Sequence, residues 1–573
     1  MDAGHDIATA AARLLADARA VVSQTPVARG IDVPMSGGGP GLPFSPEHEH
    51  MLRNQTSGGA THAPGAGVSS QLQDGLGAQD GLGAQAGPSE RRAGGPERTS
   101  GDGAWVVPTS EPREVQQHTE SGIRSFVRRI RGLDHLRTDP PFGAVSLGGA
   151  GDSALPGLPA TLTPTGGPFD VAAVRRDFPI LRERIHGRPL VWLDNAATTQ
   201  KPQAVIDALA AFYAHDNSNI HRGAHALAAR ATDAYERARS IVATFLGAES
   251  SDDIVFVRGC TEGINLVANI LAPGLSRGDE IVVTELEHHA NIVPWQMVAE
   301  RTGAVLRVVP IDDRGDVIIE AYARLLSPLT RIVALSHASN SLGTILPVEL
   351  MTGMAKALGA RVLVDGAQSV SHFPVDVRRI GCDFYVFSGH KIFAPTGIGA
   401  VFMPRDVQRS LPPWQGGGNM IRDVTFARTI YSDPPAKFEA GTPNIADAIG
   451  LGAALDYVTA LGRERIAAYE HDLLHHATAR LAAIDGLRLV GTARDKVGVL
   501  SFVIDGRDPI EIGRALDREG IAVRAGHHCA QPSLRRYGLE ATVRPSLAFY
   551  NTHAEIDQLG AAVAAIAGRL RAR

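Results

Sequence analysis

Lys391 stands a few residues beyond the apolar run FYVF, in DFYVFSGHKIFAPTGIG, with Ser388 and His390 beside it. An amine at a strand end can form a Schiff base once its surroundings lower its pKa. A single lysine is ordinarily a surface residue, but Lys391 has company. Asp365 follows Val362–Val364 directly in ARVLVDGAQSV, with Gln368 three residues on. An acid so placed can pair with a protonated ring nitrogen, the pairing that makes pyridoxal 5'-phosphate an electron sink. Its plainer reading is a strand-end turn aspartate. In FVRGCTEGINLVANIL a strand gives way to a glycine turn and a helix starting near Thr261, with Ile264, Val267 and Leu271 as its apolar face. The backbone N–H groups of Gly259, Cys260 and Thr261 would converge there on an anion, favoured by the helix dipole. Many helices begin this way, so the turn alone decides little. His288, in TELEHHANIVPW, lies just past a strand and can stack on a flat ring, with His289 as its competitor. Cys529, in IAVRAGHHCAQPS, follows a glycine and two histidines. A thiol in such a loop can be partly exposed and partly ionised, hence nucleophilic. Cys382, in RIGCDFYVF, reads as a small core residue.

These residues need elements to hold them. VWLDNAA, DIVFV, EIVVTEL, VLRVVPI, RIVALSH, RVLVDGA and FYVFSG read as strands. Most are continuous apolar runs, the mark of strands covered on both faces. Helical stretches such as PQAVIDALAAFYAH and ATDAYERARSIVATFLG lie among them, which predicts an α/β domain with a mainly parallel sheet. Chemistry is then expected at the loops following the strands.

The composition divides the chain near Phe169. Gly and Pro make up 44 of residues 1–168 but only 53 of the remaining 405. Chain of the first kind cannot offset its ordering entropy by burial, so 1–168 is expected to be mostly disordered. It contains QDGLGA twice, at 73–78 and 79–84. Three apolar islands interrupt it: Ile7 to Val22, Ile123 to Ile130 among arginines, and Phe142, Val145 and Leu147. Such islands suit linear docking motifs, or helices that bind nothing. The basic one also suits an anionic lipid surface. A formal charge of −5 gives no reason to expect nucleic-acid binding. The three cysteines, with no CxxC spacing, predict neither a disulfide scaffold nor a cysteine zinc site, and no other metal site is expected. With no signal-peptide pattern and no long apolar run, no membrane association is expected, and a cytoplasmic location is.

Together LDNAATTQKP, NIHRGAH, FVRGCTEGINLVAN, EHHANIVPW, VDGAQ, DFYVFSGHK, APTGIG, FEAGTPN, VRAGHHCAQP and SLAFYNT resemble the class-V aminotransferase group of fold-type I pyridoxal-phosphate enzymes, and more narrowly the SufS-type cysteine desulfurases. The resemblance runs over roughly 169–573. It implies a large cofactor-binding domain with an N-terminal arm over 169–430, built on a mainly parallel seven-stranded sheet. It also implies a smaller α+β domain over 431–573 that carries the cysteine loop. Lys391 would be the Schiff-base lysine, Asp365 the partner of the pyridinium nitrogen, Gln368 that of the ring hydroxyl, and His288 the stacking ring. Cys260, Thr261, Ser388 and His390 would hold the phosphate. Thr442 would reach the phosphate bound by a partner subunit, which implies a homodimer. Arg544 would take the substrate carboxylate, helped by Asn340, with His221 and Arg222 at the entrance. Cys529 would accept sulfur from L-cysteine as a persulfide and pass it to an acceptor protein. Two departures stand out: Cys260 where Thr is common, and Ala394 before Pro395 where Gly is common.

The long Gly/Pro-rich extension resembles that of cysteine desulfurases carried as cargo in encapsulin nanocompartments, which implies a shell protein as partner of 1–168. Selenocysteine lyase, or a desulfurase for iron–sulfur cluster assembly without a shell, would use the same scaffold. Another class-V enzyme would not need Cys529, and a cargo protein without activity would need none of these residues.

Overall fold

The computed structural model describes residues 169–221 and 223–568. The expected disorder of 1–168, its three apolar islands and Arg222 therefore lie outside the described residues.

Seven strands form the large sheet: β1 (Ile254–Val257), β2 (Glu280–Thr284), β3 (Val305–Val309), β4 (Thr330–Ser336), β5 (Arg361–Asp365), β6 (Phe384–Ser388) and β7 (Gly399–Phe402). Their order is β1-β7-β6-β5-β4-β2-β3. β7 runs antiparallel to both neighbours, and every other pairing is parallel. This is the mainly parallel, seven-stranded sheet that the sequence resemblance implies. Alternation along the strands divides the core. On β6, Tyr385 and Phe387 join one hydrophobic cluster, while Phe384 and Val386 join the other. Apolar layers on both sides explain the unbroken hydrophobic runs. β3, at the edge, is the exception: only Val309 is buried.

Helix α1 (Gln203–Ala211) precedes the long α2 (Ala226–Leu246), which His225 caps by accepting the Ala228 N–H. α3 (Cys260–Leu271) follows β1 and buries Ile264, Val267 and Leu271 in the second cluster. α4 (Ile445–Leu461) is apolar on nearly every side because it packs among α1, α2 and the large sheet's first cluster. α5 (Arg463–Ala482) and α6 (His553–Gly568) cover a second, antiparallel sheet. Its strands are β8 (Leu487–Val490), β9 (Ser501–Ile504), β10 (Arg524–Gly526) and β11 (Thr542–Arg544), in the order β8-β9-β11-β10.

Two details differ from the reading of the sequence. VWLDNAA supplies no strand to the large sheet: Val191–Trp192 pairs in parallel with Ile521–Ala522, and Val191 and Leu193 enter the C-terminal core. The seventh strand is instead β7, whose four residues begin with Gly399 and are too short to show as an apolar run. No single helix among the described residues is long and apolar enough to cross a membrane.

Candidate active site

The parallel strands end on one side of the sheet, and the singled-out residues follow those ends. β2 leads to His288, β4 to Asn340, β6 to Lys391 and β1 to Cys260, while Asp365 is the last residue of β5. They border a cavity of about 250 Å³ that the C-terminal segment closes with Arg524, His528, Cys529 and Arg544.

Lys391 ends a single turn, Gly389–Lys391. The His390 carbonyl fixes this turn by accepting the Thr199 N–H at 2.9 Å and the Thr198 hydroxyl at 3.0 Å. Burial lowers the Lys391 pKa, with Asp365 and Cys260 opposing the shift. The shift favours a neutral amine, the form a nucleophile or base needs. Asp365 is 5% exposed. Its Oδ1 accepts the Ala367 N–H at 2.9 Å and the Cys260 thiol at 3.0 Å. Burial raises the Cys260 pKa, so that sulfur stays a donor.

His288 accepts the Ala290 N–H on Nδ1 at 3.0 Å, which leaves the ring proton on Nε2. Burial, then Lys391, His289 and Arg544, push its pKa down to about 3, so the ring is neutral. Glu287 beside it is fully buried. It accepts the hydroxyls of Thr284 and Ser336 and the Asn291 amide, each at 2.6 Å. It thereby ties the end of β2 to that of β4 and fixes where His288 starts. Gln368 donates its amide to the Ala196 carbonyl at 2.7 Å.

On the anion side, Gly259 caps α3 at φ +153°, and a Cβ there would stand 3.1 Å from Ser388 Oγ. The three convergent N–H groups expected from the sequence need a correction. The Cys260 N–H donates to Ser388 Oγ at 2.8 Å. Thr261 lines the cavity, as do Ser388 and His390. Burial, Lys391 and Lys201 push His390 down to about 4.

Arg544 is 2% exposed, donates from Nη1 to the Asn340 carbonyl at 2.8 Å, and lies 3.4 Å from Asp194. Its Nε is a buried donor with no protein acceptor. A bound carboxylate would supply one. Asn340 donates Nδ2 to the His528 carbonyl at 2.7 Å. Cys529 is exposed at the cavity's edge, and both it and His528 adopt φ +54°.

His221 and Thr442 are not brought to this cavity. His221 pairs with Glu236 at 2.9 Å, which raises its pKa, and Thr442 is exposed. Three residues had no assigned role in the sequence reading. Asp194 also bonds Arg524 at 2.9 Å, so one acid orients two arginines. His528 is the third. Asp194 and Arg524 lie inside quoted motifs, but nothing in either motif says that they meet.

The chemistry of these groups fits pyridoxal 5'-phosphate. Asp365 matches a ring nitrogen, a neutral His288 a ring face, Thr261, Ser388 and His390 a phosphate, and Lys391 an aldehyde. The class-V aminotransferase model matches residues 191–559. The chain belongs to the class-V aminotransferase family. Members of this family depend on pyridoxal phosphate. A probable cysteine desulfurase of Mycolicibacterium paratuberculosis is 64% identical over 400 residues, which cover 70% of this chain and 58% of that one. The match thus spans less than two thirds of that relative's length. A cysteine desulfurase of Salmonella gallinarum is 49% identical over 70% of this chain and 98% of its own. Among solved structures, the apo cysteine desulfurase of Thermococcus onnurineus NA1 superposes with a TM-score of 0.67 at 37% identity, covering 69% of this chain and 98% of that one. The class-V fold thus accounts for the placement of the site at the strand ends.

Proposed function

We propose that this chain is a SufS-type, pyridoxal-phosphate-dependent cysteine desulfurase that converts L-cysteine to L-alanine and leaves a persulfide on Cys529. One observation carries the reading: a single cavity is bordered by Lys391, Asp365, Arg544 and the exposed Cys529. Another class-V chemistry would not call for the thiol. The names of the relatives point the same way.

When bound, the cofactor supplies an electron sink next to the substrate's α-carbon. Arg544 and Asn340 orient the substrate carboxylate. Asp365 would hold the ring nitrogen in its protonated form; its two protein donors both fall on Oδ1. Lys391 Nζ removes the α-proton. Cys529 Sγ attacks the substrate sulfur: the S–S bond forms, the C–S bond breaks, and the β-carbon gains a proton. No outside oxidant or reductant is needed. Thr442 is proposed to complete the site of a second subunit in a homodimer, and His221 with Arg222 to line its entrance. A separate sulfur-acceptor protein would take the sulfane atom from the exposed loop.

In the holoenzyme, borohydride reduction followed by peptide mapping is expected to place the cofactor on Lys391. Cys529→Ser is expected to abolish sulfide release from L-cysteine while keeping the cofactor absorption band. Unchanged release in that variant would refute the reading. Relative turnover of selenocysteine separates a lyase from a desulfurase.

The Gly/Pro-rich composition of 1–168, with its apolar islands, supports a second proposal: this segment loads the enzyme into an encapsulin shell in the cytoplasm, for sulfur storage or mobilisation. Deleting 1–168 is expected to leave turnover intact and abolish co-purification with the shell. Retained co-purification would refute the loading role.

A further inference from the structure

His528 is buried, whereas Cys529, the next residue, is exposed. Both sit at φ +54°, a region that non-glycine residues rarely occupy. Two consecutive residues keep that conformation only if their surroundings fix it. Cys529 is fastened through its backbone: its N–H donates to His527 Nδ1 at 3.0 Å, and its carbonyl accepts the His289 N–H at 2.9 Å. The fastening by deeper elements falls on His528. Its carbonyl accepts Asn340 Nδ2 at 2.7 Å, and its Nε2 lies 2.8 Å from Thr542 Oγ1.

The direction of that last bond follows from the far end of the chain of hydroxyls. The Ser341 carbonyl can only accept, so the Ser501 hydroxyl donates to it, at 2.6 Å. Ser501 Oγ then accepts from the Thr542 hydroxyl at 3.3 Å. With its one proton so used, Thr542 Oγ1 accepts from His528. His528 is therefore the Nε2–H tautomer. Both routes out of His528 return to adjacent residues, Asn340 and Ser341. Arg544 donates to the Asn340 carbonyl and shares β11 with Thr542. The carboxylate corner and the thiol loop thus form one hydrogen-bonded ring.

We propose that His528 is a positioning residue for Cys529: its imidazole, held through Thr542, Ser501 and Ser341, fixes the backbone that presents the thiol and ties it to the corner that receives the substrate carboxylate. Its effect on turnover rests on the desulfurase reading, while its effect on the loop does not.

The test uses the holoenzyme and two variants of Thr542, which does not border the cavity. Thr542→Val keeps the shape and removes the hydroxyl, while Thr542→Ser keeps the hydroxyl. Amide hydrogen exchange over residues 526–530 is followed beside kcat and KM for L-cysteine. In Thr542→Val, exchange of that loop is expected to speed up about tenfold and kcat to fall about tenfold, the effect of one buried hydrogen bond. KM, the cofactor absorption band and exchange in the large sheet stay as in the parent, and Thr542→Ser restores both altered quantities. Should Thr542→Val not fold, Ser501→Ala interrupts the same relay one step further away, with the same expected signs. Loop exchange and kcat like the parent's in the valine variant, or a serine variant that behaves like valine, overturn the proposal. If the parent itself releases no sulfane sulfur, the desulfurase reading fails, and the exchange comparison still decides the role of His528.

Discussion

The two ends of the cavity are built on opposite plans. The strand-end side holds Lys391, Asp365 and His288 on a buried sheet, and burial displaces the pKa of the lysine and the histidine. The loop side leaves Cys529 exposed and holds it through backbone bonds at an uncommon φ. The difference follows from what each end must do. Proton removal beside an electron sink gains from a dry, fixed setting in which an amine stays neutral. A thiol that takes sulfur and hands it on must be reachable from outside. Both ends are held in place; burial of the reacting group belongs to one, and access to the other.

The largest expected effect comes from removing the amine at the buried end. Lys391→Ala should lower kcat by about four orders of magnitude, combining the loss of the proton carrier with that of the cofactor's anchor. Asp365→Asn should cost about two to three orders, as expected for removing a preorganised charge. Steady-state sulfide release checks both, and a milder loss from Lys391→Ala than from Asp365→Asn would invert the proposed roles.

A structural break is next. A Cβ on Gly399 would stand 2.4 Å from the Phe387 carbonyl oxygen and 2.7 Å from the Gly259 Cα. Both are backbone atoms, one of them in the turn that opens α3. Gly399→Ala is expected to destabilise the fold by about 3 kcal/mol and to weaken cofactor retention. Denaturant unfolding that matches the parent would show that the sheet is softer than the geometry implies.

The smallest effect is on pH dependence. Burial holds His288 and His337 down to about 3, His390 to about 4 and His528 to about 2, against an ordinary value of 6.5. As pH falls below 6.5 the unfolded chain takes up protons that the folded chain does not. The stability these rings contribute is thus complete above 6.5 and is lost as pH falls from there through about 4 for His390, about 3 for His288 and His337 and about 2 for His528. Glu287, raised to about 7, works in the opposite direction. His337 bonds Tyr385 at 3.0 Å, so His337→Gln isolates one share of the loss. Thermal melting from pH 7.5 to 5 should fall less steeply in that variant than in the parent, and equal slopes would contradict the assignment.

The buried end was the more legible in the sequence. Strands covered on both faces read as apolar runs, and Asp365 and Lys391 follow two such runs at once. β7 escaped because its four residues begin with a glycine and stop just short of Met403 and Pro404, too short a signal. The loop end is set by tertiary contacts that no local pattern encodes. Asp194 reaches Arg524 and Arg544 across more than three hundred residues, and the relay from His528 runs through Thr542 and Ser501. Cys260 was readable as a departure from the common Thr. Its thiol contact with Asp365, and the use of its N–H by Ser388, appear only once β1, β6 and β5 join one sheet, with β7 between the first two.

One measurement joins the two ends. The holoenzyme is given one equivalent of L-cysteine, and its peptides are mapped by mass spectrometry for sulfane sulfur. The added sulfur is expected on the peptide containing Cys529, with Cys260 and Cys382 unmodified and one equivalent of alanine released. Sulfur on either buried cysteine, or alanine without sulfur on Cys529, would contradict the account.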